Sequence, residues 1–139
     1  MPVSANYSAD AQVLVPSIVQ TTSSTGDGTN TAATLPGIDR YTSAEIELNV
    51  TAANGTLNVY IQKLMPDGAW TDLISFTQAT TISKQICTII SQTSAPYAPT
   101  DATLAAGTVK ADHIGNTWRV KGVITGTSFT FTVLGNFYE

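Results

Sequence analysis

Charge is what this sequence has least of. Asp, Glu, Lys and Arg make up 12% of its 139 residues, against about 25% in an ordinary soluble domain. The six basic residues, Arg40, Lys63, Lys84, Lys110, Arg119 and Lys121, form no run, and the formal net charge is −4. That balance excludes the basic footprint of a nucleic-acid binder. A single cysteine, Cys87, leaves no intrachain disulfide to form, and within QICTIIS it reads as a small buried hydrophobe. A single histidine, His113, leaves a His/Cys zinc site short of ligands and has no nucleophile beside it to activate. No apolar run approaches the ~18 residues of a membrane span. The N-terminal stretch has no positive segment before its apolar part, and Pro16 interrupts that part early, so no signal peptide is expected. Helical periodicity is weak throughout, and DATLAAGTVKADHI (101–114) has room for one short turn at most.

What fills the space is Thr, Ser and alternating aliphatic residues. Thr is β-branched and suits a pleated surface, so the composition favours strands. Residues 43–51, SAEIELNVT, set Ala44, Ile46, Leu48 and Val50 against Ser43, Glu45, Glu47, Asn49 and Thr51, the period-two pattern of a half-buried strand. Ala52-Ala53-Asn54-Gly55 follows and reads as a hairpin turn, with TLNVYIQKL as the return strand. Met65-Pro66-Asp67-Gly68 turns the chain again into WTDLISF. A fourth strand is expected in ISKQICTIIS. Near the C-terminus NTWRVKGVI and SFTFTVL form another expected hairpin around Thr125-Gly126-Thr127. About six to eight short strands with regular turn signals predict a single antiparallel β-sandwich, Ig-like or jelly-roll-like, over residues 31–139.

Residues 1–30 differ in character. VLVPSIV (13–19) is an apolar island, tethered by the polar linker TTSSTGDGTN (21–30). It is expected to dock as an edge strand, either on its own domain or on a neighbour. The loop 92–108, QTSAPYAPTDATLAAGT, is longer than most connections in a compact domain and marks a functional or partner-facing segment. Val13, Leu14, Val15, Ile18 and Val19 of the arm and Tyr97 of the loop are therefore the candidate partner contacts. Paired carboxylates suited to glycoside hydrolysis are not apparent, and GDGTN (26–30) lacks the acidic repeat of a calcium loop. No catalytic residue, metal ligand or cofactor site is expected. Among the aromatics, Trp70 and Trp118 share parity with aliphatic neighbours and read as core, whereas Tyr60 and Tyr97 read as exposed. An exposed aromatic pair would suit a carbohydrate-binding module.

Taken together, TSAEIELNVTAANGTLNVYIQ, PDGAWTDLISFTQAT and IGNTWRVKGVITGTSFTFTV resemble small structural proteins of tailed-bacteriophage virions, over roughly residues 42–134. The resemblance implies a β-sandwich without enzymatic activity that works by assembly. The expected role is a capsid decoration (cement) protein that binds the outer head as a homo-oligomer, often a trimer. Its partners would be further copies of itself and the major capsid protein or another virion protein, with no nucleic acid and no membrane. It would be located in the virion after assembly in the host cytoplasm. A neck, tail or fibre-associated role is the alternative within the same family. Low charge and a hydroxyl-rich surface suit a protein that ends up buried in contacts.

Overall fold

The structure, a computed structural model, describes residues 10–20, 23–25 and 34–139. Most of the linker 21–30 lies outside the described residues, and the side chains of Ile18 and Val19 are likewise not described. The described chain is all strand: β1 (Asp10–Gln20), β2 (Ser24–Thr25), β3 (Ser43–Leu64), β4 (Trp70–Ser75), β5 (Ser83–Ile90), β6 (Thr108–Val109) and β7 (Trp118–Tyr138). They form one continuous antiparallel sheet.

β3 and β7 are the frame. They pair along almost their whole length, from Ser43 opposite Tyr138 to Lys63 opposite Trp118. Neither expected hairpin forms. Ala52–Gly55 and Thr125–Thr127 lie inside the two long strands, and the pairing register shifts between Val50 and Ala52 and again between Asn54 and Gly55. The positive φ that Asn-Gly and Thr-Gly-Thr announce is present, at +119° for Gly55 and +129° for Gly126. It serves irregularities in paired strands instead of turns.

The paired ribbon folds back on itself there. Trp118 and Phe137 stand at opposite ends of β7, and extended backbone would separate them by roughly 60 Å. Their ring centroids are 5.3 Å apart. Tyr41 packs on the same Phe137 at 5.4 Å. The segment 35–42 ties the two ends, with Leu35 exchanging backbone hydrogen bonds with Trp118 and the Thr42 N–H donating to the Tyr138 carbonyl at 2.9 Å. The side-chain parity flips across the fold: even residues 44–50 of β3 point inward before it, odd residues 57–61 after it. Both sets join one core with Phe129, Phe131 and Val133 of β7. The two halves of the same strands thus line one core.

Each half gains its own neighbours. The first half of β3 pairs with β5 and the second half of β7 with β1, giving a layer in the order β5-β3-β7-β1. The second half of β3 pairs with β4, which pairs with β6, while the first half of β7 pairs with β2. β1 therefore docks on its own chain, with Asp10 opposite Phe137 and Gln20 opposite Phe129. Pro16 sits where the β1 register slips between Val15 and Ile18, the edge-strand irregularity that tolerates a missing N–H.

The fold depends on backbone closeness at the two glycines. A Cβ on Gly55 would lie 2.1 Å from the Thr125 carbonyl oxygen, and one on Gly126 would lie 2.6 Å from the Asn54 carbonyl oxygen. Gly55→Ala and Gly126→Ala are expected to destabilise the protein by on the order of 3 kcal/mol or more. Gly68→Ala, at φ +90° with nothing near its Cβ position, should cost only about 1–2 kcal/mol. Urea unfolding of the three variants checks the ranking; equal losses would contradict it.

Candidate functional site

The long loop encloses the most concentrated polar chemistry of the molecule. Asp72 shares parity in β4 with Ile74, yet the two face opposite sides of the sheet. The cause is a bulge: Ile61 pairs with Ile74 and Gln62 with Asp72, so Leu73 is an extra residue. Asp72 and Trp70 are thereby turned to the outer face, beside Gln62 and Arg119, while Leu73 and Ile74 stay in the core. Trp70 is half-buried there, with the Arg119 guanidinium 4.5 Å from its ring centroid. It was expected in the core; the Leu73 bulge is the reason it is not.

Asp72 is only 1% exposed and fully employed. Its Oδ1 accepts from Gln62 Nε2 and the Ala102 N–H, both at 2.9 Å. Its Oδ2 accepts from the N–H groups of Thr103 (2.9 Å) and Leu104 (3.0 Å). Ala102 takes φ +58°, which turns three successive N–H groups toward one anion, a backbone nest. Burial pushes the Asp72 carboxyl up, but the Gln62 amide and the three backbone donors outweigh it and hold the group below its ordinary value. Gln62 Nε2 also donates to Asp101 at 2.7 Å, and its Oε1 accepts from Arg119 Nε at 2.7 Å. Lys121 Nζ reaches Asp101 at 2.9 Å.

A second buried carboxylate holds the loop's two ends together. Asp112 meets Lys63 Nζ at 2.7 Å and accepts from the Tyr97 hydroxyl, from Ser94 Oγ at 3.3 Å and from the His113 N–H at 2.8 Å. Burial pushes Asp112 up; Lys63, Tyr97 and the His113 N–H together bring it below its ordinary value. Burial and the bond to Asp112 push the Tyr97 hydroxyl up to about 12. The Lys110 ammonium lies 3.7 Å from the Tyr97 ring centroid. Tyr97 is therefore half-buried and engaged at both hydroxyl and ring. The loop also pairs with the edge of β4: the Asp72 N–H donates to the Thr100 carbonyl at 2.8 Å, and the Lys110 N–H to that of Leu73 at 2.8 Å. It works as a strap over one outer face.

The other expected residues fall as follows. Trp118 is fully buried, with Nε1 donating to the Ile114 carbonyl at 2.7 Å. Tyr60, expected exposed, is 9% exposed, between Ser75 of β4 and Lys121 of β7. Cys87 is half-buried, and burial pushes its thiol up. His113 is exposed, and its Nδ1 accepts from the Gly115 N–H at 3.0 Å. Among the described residues no three His, Cys, Asp or Glu side chains are grouped to hold a metal.

The outer face of the β5-β3-β7-β1 layer has no strap. In register across it stand Ile86, Glu47, Leu134 and Val13. Ile86 is 62% exposed, Val13 64% and Leu134 37%, with Ile90 of β5 and Ile82 just before that strand also exposed. Of the arm residues, Val13 thus lies on this open row, Leu14 packs against the core margin and Val15 is buried in it. The row forms an exposed apolar strip across the four-stranded layer. Val13 is among the candidate contacts named from the sequence; Ile86 and Leu134, which stand in the same row, are not. The alternation ISKQICTII, with aliphatic residues on both parities, was the available signal.

Asp72→Asn should destabilise the protein by about 2–3 kcal/mol, since one amide oxygen replaces two carboxylate oxygens before buried donors. It should also open residues 92–112 to proteases at native conditions. Because Asp72, Asp101 and Asp112 titrate below their ordinary values when folded, the unfolded chain binds more protons at acid pH. Their stabilisation is complete above about pH 4 and is lost as pH falls through the lower folded-state values. Unfolding free energy measured down to about pH 2 should fall in that window, less steeply in Asp72→Asn. Compared with family models, curated proteins and solved structures, the chain finds no match.

Proposed function

We propose that this chain is a structural protein of a tailed-bacteriophage virion, and specifically a capsid decoration protein that binds the outer head as a homo-oligomer, a trimer in the form the resemblance implies. The observation that carries the reading is the open row Ile86, Glu47, Leu134 and Val13 on a rigid layer. Val13 comes from the N-terminal arm, so the arm helps build the contact face while β1 stays paired to its own sheet. A continuous sheet with a strapped second face supplies a stiff body that loses little freedom on docking. The motifs shared with small virion proteins give the partner class: the major capsid protein, another virion protein and further copies of the chain.

The buried polar groups beneath residues 92–112 are engaged with one another. Asp72, Asp112, Gln62 and Lys63 all hold the strap or its ends. Trp70 and Tyr97, which a carbohydrate-binding module would present to a sugar ring, each carry a cation over the ring.

Quantitative mass spectrometry of purified particles from the encoding phage tests the reading. A high copy number that follows the capsid lattice is expected; a low number fitting a ring places the protein at the neck or tail instead, and absence from particles defeats the proposal. Ile86→Ser combined with Leu134→Ser should abolish binding to particles that lack the protein. The melting temperature should stay nearly unchanged, because both side chains face solvent.

A further inference from the structure

The open face is not uniformly apolar. It holds a groove of about 250 Å³ with Ile86 on one side, Leu134 and Val13 on the other, and Glu45 and Glu47 on its floor. The two carboxylates project from alternate residues of β3, roughly 7 Å apart along the strand. One ammonium serves them: Lys84 Nζ lies 3.5 Å from Glu47, with both side chains open to water, so the pair is loosely held. Among the described residues Glu45 meets the Tyr138 hydroxyl, at 3.5 Å. The groove therefore combines apolar walls with an excess of negative charge.

Those two properties select the occupant. A second copy packed face to face about a two-fold axis would bring both Glu45–Glu47 pairs together, a like-charge contact that costs several kcal/mol. The apolar row is also small. Four strands span roughly 14 Å, so the patch offers on the order of 300 Å², against about 800 Å² per partner in a stable complex. It fits one inserted segment better than a whole subunit. In an extended segment, side chains two positions either side of a central residue share its face and lie roughly 14 Å apart. That matches the spread from Ile86 to Val13.

We propose that this groove receives an extended segment of a partner protein in which a lysine or arginine is flanked, two positions to each side, by aliphatic residues. The cationic head sits between Glu45 and Glu47, and the aliphatic side chains rest on Ile86 and on Leu134 with Val13. The inference rests on the reading of this face as an assembly contact and adds the chemistry of what it contacts.

The test uses the full chain labelled with ¹⁵N and the blocked peptide acetyl-Val-Ser-Lys-Ser-Val-amide, with the same peptide carrying Glu in place of Lys as control. The lysine peptide should shift the amide signals of Glu47, Ile86 and Leu134 saturably. Binding should be at least about tenfold weaker for the Glu peptide and for the Glu45→Gln/Glu47→Gln double variant. Both glutamates face solvent, and an unchanged spectrum elsewhere shows that the variant folds. No shift at several millimolar peptide, or equal shifts with both peptides, overturns the proposal. So does a dimer in sedimentation that Ile86→Ser dissociates, because the face then belongs to a second copy. Particle binding separates this inference from the virion reading. If the double variant binds particles as tightly as the parent chain, the groove assignment fails and the virion role stands. If the parent chain ignores particles yet binds the lysine peptide, the virion role fails and the groove assignment stands.

Discussion

The structure depends on one close approach between two backbones. Gly55 of β3 and Gly126 of β7 meet where any side chain would collide with the opposing carbonyl. Because both residues can take positive φ without a Cβ penalty, two long paired strands bend together and remain paired. Everything else is a consequence of that bend. It brings Trp118 onto Phe137 from the far end of the same strand, turns odd and even residues of β3 into one core and creates two outer faces from one ribbon.

Those faces are treated differently. One is closed by residues 92–112, held by carboxylates that the chain buries and fully satisfies with its own donors. A buried charge is tolerable only under such conditions, and with so few charged residues the placement of Asp72 and Asp112 accounts for much of the interior electrostatics. The strap also covers the edge of β4, which would otherwise present open backbone groups. The other face is left open, with aliphatic side chains from three strands around two glutamates. Residues 92–108 are thus tied to the body of the fold along their length.

Much of this was legible in the residues. The alternation at 43–51 located the first half of β3, and the inward set Ala44, Ile46, Leu48 and Val50 is buried as the period required. Pro66-Asp67-Gly68 does close a turn, with the Gly68 N–H donating to the Met65 carbonyl at 3.0 Å and Asp67 accepting from Ala69 at 3.0 Å. Where the reading departs from the structure, the cause is tertiary. Asn54-Gly55 and Thr125-Gly126-Thr127 carry hairpin chemistry, and nothing local tells a turn from a bend shared by two paired strands. Trp70 and Asp72 were set on the wrong side or left unexplained because a one-residue bulge at Leu73 is invisible to parity counting. Tyr60 is buried although its parity is polar, because β4 and β7 flank it on both sides.

Sequence by itself determined the all-β class, the inward aliphatic sets, the need for positive φ at Gly55 and Gly126, and the scarcity of charge. These are properties of single residues and of periods of two, which neighbours along the chain fully specify. Tertiary structure alone decided that the strands are long and folded over and that the carboxylates of Asp72 and Asp112 are structural. It alone decided that Val13, Leu134 and Ile86 form one row. Each of those outcomes depends on which strand lies beside which, and register between distant segments is set by packing across the whole core.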